Sequence, residues 1–203
     1  MDEEVELKFL VRSIQAMRKR LAAIGATQAT PRTLERNLLF DDAERSLRKR
    51  DGILRLRKTG KKTLLTVKLP PDIPSTEAKI RKEYQVEVSD FEEMKAILEV
   101  LGFEPWGGYE KYREEFRVGN AVVSLDEMPF GEFVEIEGEL QEIKSVAKSL
   151  GLNTEKRILQ GYLGLMAALR DALGIELSYL TFERWNETID WNKLGIEPAD
   201  GRA

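Results

Sequence analysis

The sequence predicts an α+β protein built as an eight-stranded antiparallel β-barrel with helices packed outside. Three observations lead there. Charged and apolar residues alternate with period two in nearly every strand-like segment, as in Glu4, Glu6 and Lys8 set between Val5, Leu7 and Phe9. Most neighbouring strands are joined by turns too short for a parallel crossover. Three or four amphipathic helices are available to cover the apolar strand faces.

The elements follow in order. Glu3–Val11 reads as the first strand. Ser13 caps a helix that runs to about Ala23 and stops at Gly25, with Ile14, Met17, Leu21 and Ile24 as its stripe. Thr33–Phe40 is a strand and Ala43–Lys49 a short helical turn. Ile53–Lys58 and Thr63–Leu69 form a hairpin turning at Gly60-Lys61. Pro70, Pro71 and Pro74 stiffen the loop before the strand Lys79–Val88. Asp90 caps a helix that stops at Gly102. Three strands then come at about Tyr109–Arg117, Ala121–Met128 and Glu132–Glu137, and a helix at about Leu140–Leu150. Leu159–Leu173 and Ile175–Phe182 read as apolar helices. Trp185 to Ala203 has no clear period, so residues 174–203 are expected to form an extension or cover on a domain spanning 1–173.

Composition narrows the chemistry. The chain has 203 residues, 42% hydrophobic and 33% charged, with a net charge of −4. Acids and bases nearly balance, so a nucleic-acid partner is not expected. There is no Cys and no His. Disulfides, thiolate metal sites, imidazole ligands and Ser-His triads are therefore excluded, and any metal must sit on oxygen, which favours Mg²⁺, Mn²⁺ or Ca²⁺. No apolar run approaches the ~20 residues of a membrane span. With an acidic N-terminus lacking an apolar leader core, a cytoplasmic protein is expected, away from membranes.

The charged strand faces carry the functional reading. Arg55 and Arg57 alternate with Leu54 and Leu56. Lys68 shares a face with Leu64 and Thr66. Arg81 and Glu83, then Lys111 and Arg113, then Glu135 and Glu137, each alternate with apolar neighbours, and Asp126 stands in SLDEM. If the helices pack outside, these charges point inward. A barrel lined with mixed charge cannot be dry, because buried unpaired charge is too costly. It would be a wet tunnel whose bases grip phosphate and whose acids reach phosphate through a divalent cation. The competing reading is a solvated sheet with interleaved ion pairs, each worth about 0–1 kcal/mol.

The ordered set E-x-E-x-K (Glu4, Glu6, Lys8), R-L-R (Arg55, Arg57), T-V-K (Lys68), R-x-E (Arg81, Glu83), K-x-R (Lys111, Arg113), L-D (Asp126) and E-x-E (Glu135, Glu137) resembles the CYTH domain over about residues 3–165. This superfamily is also called the triphosphate tunnel metalloenzymes. The resemblance implies an eight-stranded tunnel that binds a triphosphate-containing small molecule with Mg²⁺ or Mn²⁺. Members hydrolyse tripolyphosphate, thiamine triphosphate or nucleoside triphosphates, and a class IV adenylate cyclase branch makes cyclic AMP. By position, Glu4, Glu6, Asp126, Glu135 and Glu137 would lie on the metal side. Lys8, Arg55, Arg57, Lys68, Arg81, Lys111 and Arg113 would hold phosphate oxygens, with Glu83 a further tunnel acid. Lys68 and Glu6 are the implied catalytic pair, though Lys68 can equally be read as one more phosphate anchor. A metal-dependent triphosphatase is the first expectation, and adenylate cyclase and a non-catalytic polyphosphate-binding module are its rivals.

Two departures from the family pattern stand out. The cyclase branch usually carries a His-Phe pair before E-x-E-x-K, and this chain has no His. Near GYLGL, a position often held by Lys is Gln160, with Lys156 and Arg157 close by. Other motifs are read as structural. TGKKT lacks the Gly and the hydroxyl residue of a phosphate-binding P-loop and reads as a hairpin tip. Gly107-Gly108 has no dinucleotide-binding context, and the charge run Arg45 to Asp51 reads as a solvated helix face. Trp185 and Trp191 are expected to pack in a cover or a homodimer contact.

Overall fold

Alternation closes the sheet on itself. The computed structural model describes residues 2–175 and 178–201. Its strands are β1 (Asp2–Val11), β2 (Thr27–Asp41), β3 (Ile53–Thr59), β4 (Lys62–Leu69), β5 (Lys79–Val88), β6 (Glu104–Val118), β7 (Ala121–Met128) and β8 (Gly131–Glu137). They run β2-β3-β4-β5-β1-β8-β7-β6 around the barrel, and β6 pairs back with β2. All these pairings are antiparallel. The expected eight-stranded antiparallel barrel with helices outside is the observed fold. A short ninth strand, β9 (Tyr179–Leu180), adds in parallel to β6 at Gly108 and Tyr109, beyond the point where β7 has ended.

The helices cover the outward apolar faces. They are α1 (Ile14–Ala23), α2 (Ser46–Lys49), α3 (Phe91–Val100), α4 (Leu140–Ser149) and α5 (Tyr162–Leu173). Ser13 caps α1 by accepting from the Ala16 amide, and Asp90 caps α3 by accepting from the Glu93 amide. Met17 and Leu21 of α1 and Ile143 and Ala147 of α4 pack on Leu7, Phe9, Val123, Leu125 and Ile136. Leu98 of α3 packs on Phe40, Leu54 and Leu56. Among the described residues, no helix is long and apolar enough to cross a membrane.

Three element readings change. Strands β2 and β6 each run 15 residues and begin earlier than expected, at Thr27 and Glu104. Register shifts near Thr30–Thr33 and between Leu39 and Phe40 break the alternation, and Gly107 and Gly108 disguise the start of β6. Helix α5 begins at Tyr162, because Gly161 is extended, and ends where Gly174 turns left-handed at φ 65°. The helix expected over Ile175–Phe182 is not present where it can be checked. Residues 176 and 177 lie outside the described residues, and Tyr179–Leu180 is strand because the Gly108 amide donates to the Ser178 carbonyl at 2.8 Å. A Cβ on Gly108 would sit 2.5 Å from the Asn37 carbonyl oxygen, so only glycine allows three chains to approach there.

The C-terminal segment folds back over α5. Trp185 packs edge-on against Phe130, and Trp191 packs edge-on against Phe133 and tilted against Phe130. The Ala199 amide donates to the Leu10 carbonyl, and Asp200 accepts from the Arg12 amide with both carboxylate oxygens.

Candidate active site

Strand parity builds the site. Residues of seven of the eight barrel strands, all but β7, line a cavity of about 1050 Å³. Glu4, Glu6 and Lys8 enter it from β1, facing Glu135 and Glu137 of β8, with Glu6 opposite Glu137 and Lys8 opposite Glu135. Arg55 and Arg57 enter from β3, Lys68 from β4, Arg81 and Glu83 from β5, Lys111 and Arg113 from β6. Every tunnel residue expected from the sequence therefore lines one cavity, with the exception of Asp126. That residue is fully buried in the wall, next to Arg113 across the β6–β7 ladder.

Asp126 is saturated with donors. Lys111 reaches it at 3.0 Å, Arg113 forks onto both oxygens at 2.7 and 2.5 Å, and the Tyr162 hydroxyl donates at 2.7 Å. Arg113 also binds Glu135. These charge-assisted contacts fix the direction in which Lys111 and Arg113 project. Tyr162, at the start of α5, plugs this end of the barrel, with the Lys8 ammonium 4.2 Å from its ring centroid.

The acids nearer β5 hold lysines. Lys68 bridges Glu4 at 2.5 Å and Glu83 at 2.6 Å, and Lys79 binds Glu6 at 2.6 Å. Lys8 binds Glu135 at 2.7 Å. Burial opposes ionisation of Glu135, yet Lys8, Arg113 and Lys111 hold its carboxyl well below the usual range. Glu137 is the exception. Burial pushes its carboxyl up to about 7, Glu4 and Glu6 add to the rise, and Lys68 and Arg113 only partly oppose it.

The opposite wall carries surplus positive charge. Arg55 is buried and has no carboxylate partner among the described residues; its side-chain contact is the Tyr109 hydroxyl at 3.4 Å. Its Nε is buried without any partner. Arg57 holds Glu35 at 3.2 Å and Asn37 at 3.1 Å, but burial and the repulsion of Arg55 make its guanidinium less basic than usual. Burial would raise the Glu35 carboxyl, and Lys111, Arg57, Arg113 and Arg55 instead pull it down to about 2. Burial likewise works against ionisation of Tyr109, but Arg55, Lys111 and Arg57 outweigh it and lower the phenol below its ordinary value.

Several site residues were absent from the sequence reading. Lys79 lies in phase with Arg81 and Glu83, and Glu35 and Asn37 alternate on β2, so continuing the period would have found them. Tyr109 is likewise in phase with Lys111 and Arg113, whereas Tyr162 and Trp106 carry no such signal, since an aromatic at a helix start or before a strand is ordinarily core. The Arg45–Asp51 run is solvated as expected: its charged residues are exposed around the short helix α2, and only Leu47 is buried. The buried Asp41 carboxylate accepts from the Leu47 and Arg48 amides and folds this segment over the barrel mouth. Arg48 and Asp51 then face the cavity, and Asp51 pairs with Arg81 at 2.7 Å.

The donor chemistry for a cation is oxygen only. Glu4 and Glu6 disfavour the ionised form of Glu137, and among the described residues no lysine or arginine forms an ion pair with it. That is an environment a hard divalent ion relieves. Among the described residues no three carboxylates stand ready in ligand geometry, because Lys68 and Lys79 occupy Glu4 and Glu6.

Eight antiparallel strands closed around a lumen of mixed charge define a tunnel-type β-barrel. The comparisons give the family: the CYTH domain profile matches residues 2–162, and the chain belongs to that family. A candidate adenylate cyclase of Methanocaldococcus jannaschii is 26% identical over 173 residues, covering 80% of this chain and 97% of that protein. A solved candidate adenylate cyclase of Vibrio parahaemolyticus superposes with a TM-score of 0.72 at 22% identity, covering 81% of this chain and 97% of its own. A Hippeastrum protein described as a candidate adenylyl cyclase with a dominant triphosphatase activity has a TM-score of 0.53 at 20% identity, with 97% of each chain covered.

Proposed function

We propose that this chain is a divalent-metal-dependent enzyme acting on triphosphates, and that its reaction is hydrolysis at the terminal phosphate. The observation that carries this reading is the cationic wall: Arg55 buried with no carboxylate in contact among the described residues and with an orphaned Nε, beside an Arg57 whose basicity is lowered by burial and by Arg55. A polyanion is the ligand that removes this penalty, since guanidinium forks match phosphate oxygens. Arg55, Arg57, Lys111 and Arg113 would hold the phosphate chain from one side and Lys8, Lys68, Lys79 and Arg81 from the other.

Glu4, Glu6 and Glu137 fit a hard cation and would hold Mg²⁺ or Mn²⁺. Once bound, the ion screens phosphate charge and polarises the phosphorus–oxygen bonds. The remaining work belongs to the side chains. The cations keep the phosphates in line and stabilise charge that grows on their oxygens. Binding draws Lys68 and Lys79 from carboxylates toward phosphate, which frees Glu4 and Glu6 for the cation. Asp126 acts through Lys111 and Arg113, holding both toward the lumen. Lys68 bridges Glu4 and Glu83.

The M. jannaschii relative favours a second reading, in which the ribose hydroxyl of ATP attacks the α-phosphorus to give cyclic AMP and pyrophosphate. Product analysis separates the two. With Mg²⁺ or Mn²⁺, hydrolysis yields phosphate from tripolyphosphate and ADP with phosphate from ATP. Cyclic AMP without phosphate release replaces the first reading by the second. Binding without turnover leaves a polyphosphate-binding module.

A further inference from the structure

Tyr109 puts a neutral hydroxyl among the lumen cations. It stands two residues before Lys111 on β6, in phase with Lys111 and Arg113, and lines the same cavity. The residue is buried, at 6% exposure. Its backbone is held from two sides: Tyr109 pairs with Asn37 of β2 and with Leu180 of β9, and the Asn37 side-chain amide donates to its carbonyl at 3.4 Å. The Tyr162 ring packs at a tilt against it, with centroids 6.4 Å apart. Packing on both backbone and ring fixes where the hydroxyl sits.

That hydroxyl is half satisfied. A phenol both accepts and donates. Tyr109 accepts from Arg55 Nη1 at 3.4 Å, and among the described residues nothing accepts its own proton. Tyr162 shows the contrast, since its hydroxyl donates to Asp126 at 2.7 Å. Glu35, the carboxylate on this wall, is engaged by Arg57 at 3.2 Å and paired with Lys111 at 3.6 Å. The charges acting on the phenol are those of Arg55, Lys111 and Arg57, which are donors only. A buried donor left without an acceptor costs about 1–3 kcal/mol. Burial works against ionisation of the phenol, but the three cations outweigh it, and a more acidic O–H donates more strongly to an anion.

Building on the triphosphate reading, we propose that the Tyr109 hydroxyl touches the substrate itself, donating a hydrogen bond to a phosphate oxygen held by Arg55. The bond supplies the acceptor that the phenol lacks. It also adds a donor without adding charge, on a wall where Arg55 already repels Arg57.

The test needs no turnover. Tripolyphosphate is titrated by calorimetry in EDTA into the wild type and into Tyr109→Phe, which keeps the ring and removes the hydroxyl. Ultraviolet difference spectra then follow ionisation of the tyrosines with pH, with and without saturating tripolyphosphate. The variant is expected to bind about 10- to 100-fold more weakly, the worth of one hydrogen bond to a charged group. In the wild type one phenol should ionise at lower pH than the others, and tripolyphosphate should move that step to higher pH, because a group donating to an anion keeps its proton. The step should be missing from Tyr109→Phe. A tyrosine that only packs would not follow the ligand. An affinity within about twofold of wild type in the folded variant overturns the proposal and leaves the triphosphate reading standing. So does a wild-type phenol step that tripolyphosphate does not move, whatever the variant's affinity, and that measurement needs no variant to fold. Failure of tripolyphosphate to bind the wild type at all overturns both readings together.

Discussion

Replacing Asp126 by Asn keeps its shape and removes one charge. In the folded protein this leaves Lys111, 2% exposed, and Arg113 with one fewer counter-charge in the barrel wall. Breaking a buried ion pair by removing one partner costs about 3–5 kcal/mol. Glu35 at 3.6 Å still answers Lys111, and Glu135 still answers Arg113, so the low end, about 3 kcal/mol, is expected. At about 2–4 °C per kcal/mol for a chain of this size, Tm should fall by roughly 6–12 °C. Urea unfolding gives the free energy, and a Mn²⁺ titration of activity gives the metal dependence. Asp126→Asn should lose stability equally in EDTA and in Mn²⁺, and should raise KM while the half-saturating Mn²⁺ stays within about twofold. A loss under about 1 kcal/mol, together with a large rise in the Mn²⁺ requirement, would refute a positioning role and make Asp126 a metal ligand.

The other predictions test separate walls of the site. Arg55→Met should raise KM for triphosphates about 10- to 100-fold, the worth of one charged hydrogen-bonding group; an unchanged KM in the folded variant would count against the role of this wall. Glu35, depressed from 4.5 to about 2, contributes about 3 kcal/mol of stability above pH 4.5 that is lost as pH falls toward 2, so the acid-unfolding curve of Glu35→Gln should be flatter than wild type in that window. Glu137, raised to about 7, is a stabilising group below pH 4.5 whose contribution is lost as pH rises through 7. Glu137→Gln should therefore be the more stable protein at pH 8 in EDTA, and its Tm should respond less to Mn²⁺; an undiminished Mn²⁺ response would remove Glu137 from the cation site. Gly107→Ala brings a Cβ within 2.7 Å of the Ser178 carbonyl oxygen and should unseat β9, read as proteolysis near residue 178 in the variant and not in the wild type.

Period two made most of the site legible, because inward and outward positions alternate rigidly in a strand and the apolar face had helices to cover it. That logic needs only sequence-local information, and it located residues as far apart as Glu4 and Glu137. It failed where the ladder is irregular. The shifts in β2 and β6 hid the first six residues of one strand and the Gly-rich start of the other, and with them Trp106. Tyr162 was invisible for a different reason: its place in the lumen follows from how α5 docks on the closed barrel, which no local pattern encodes. The Arg45–Asp51 run was legible as a solvated turn, but not its place at the mouth, because that follows from one buried carboxylate, Asp41, which draws the turn over the barrel. The expected helix at Ile175–Phe182 yielded to a backbone pairing made possible by Gly108, where tertiary context outweighs helical propensity.

The central claim is that the surplus of buried positive charge is a triphosphate site. Calorimetric titration of the purified protein with tripolyphosphate, in Mn²⁺ and again in EDTA, tests it most directly. Saturable one-to-one binding is predicted, weaker in EDTA, weakened by salt and largely lost in Arg55→Met. No heat at millimolar ligand with Mn²⁺ present, or binding indifferent to both salt and Arg55, would contradict it.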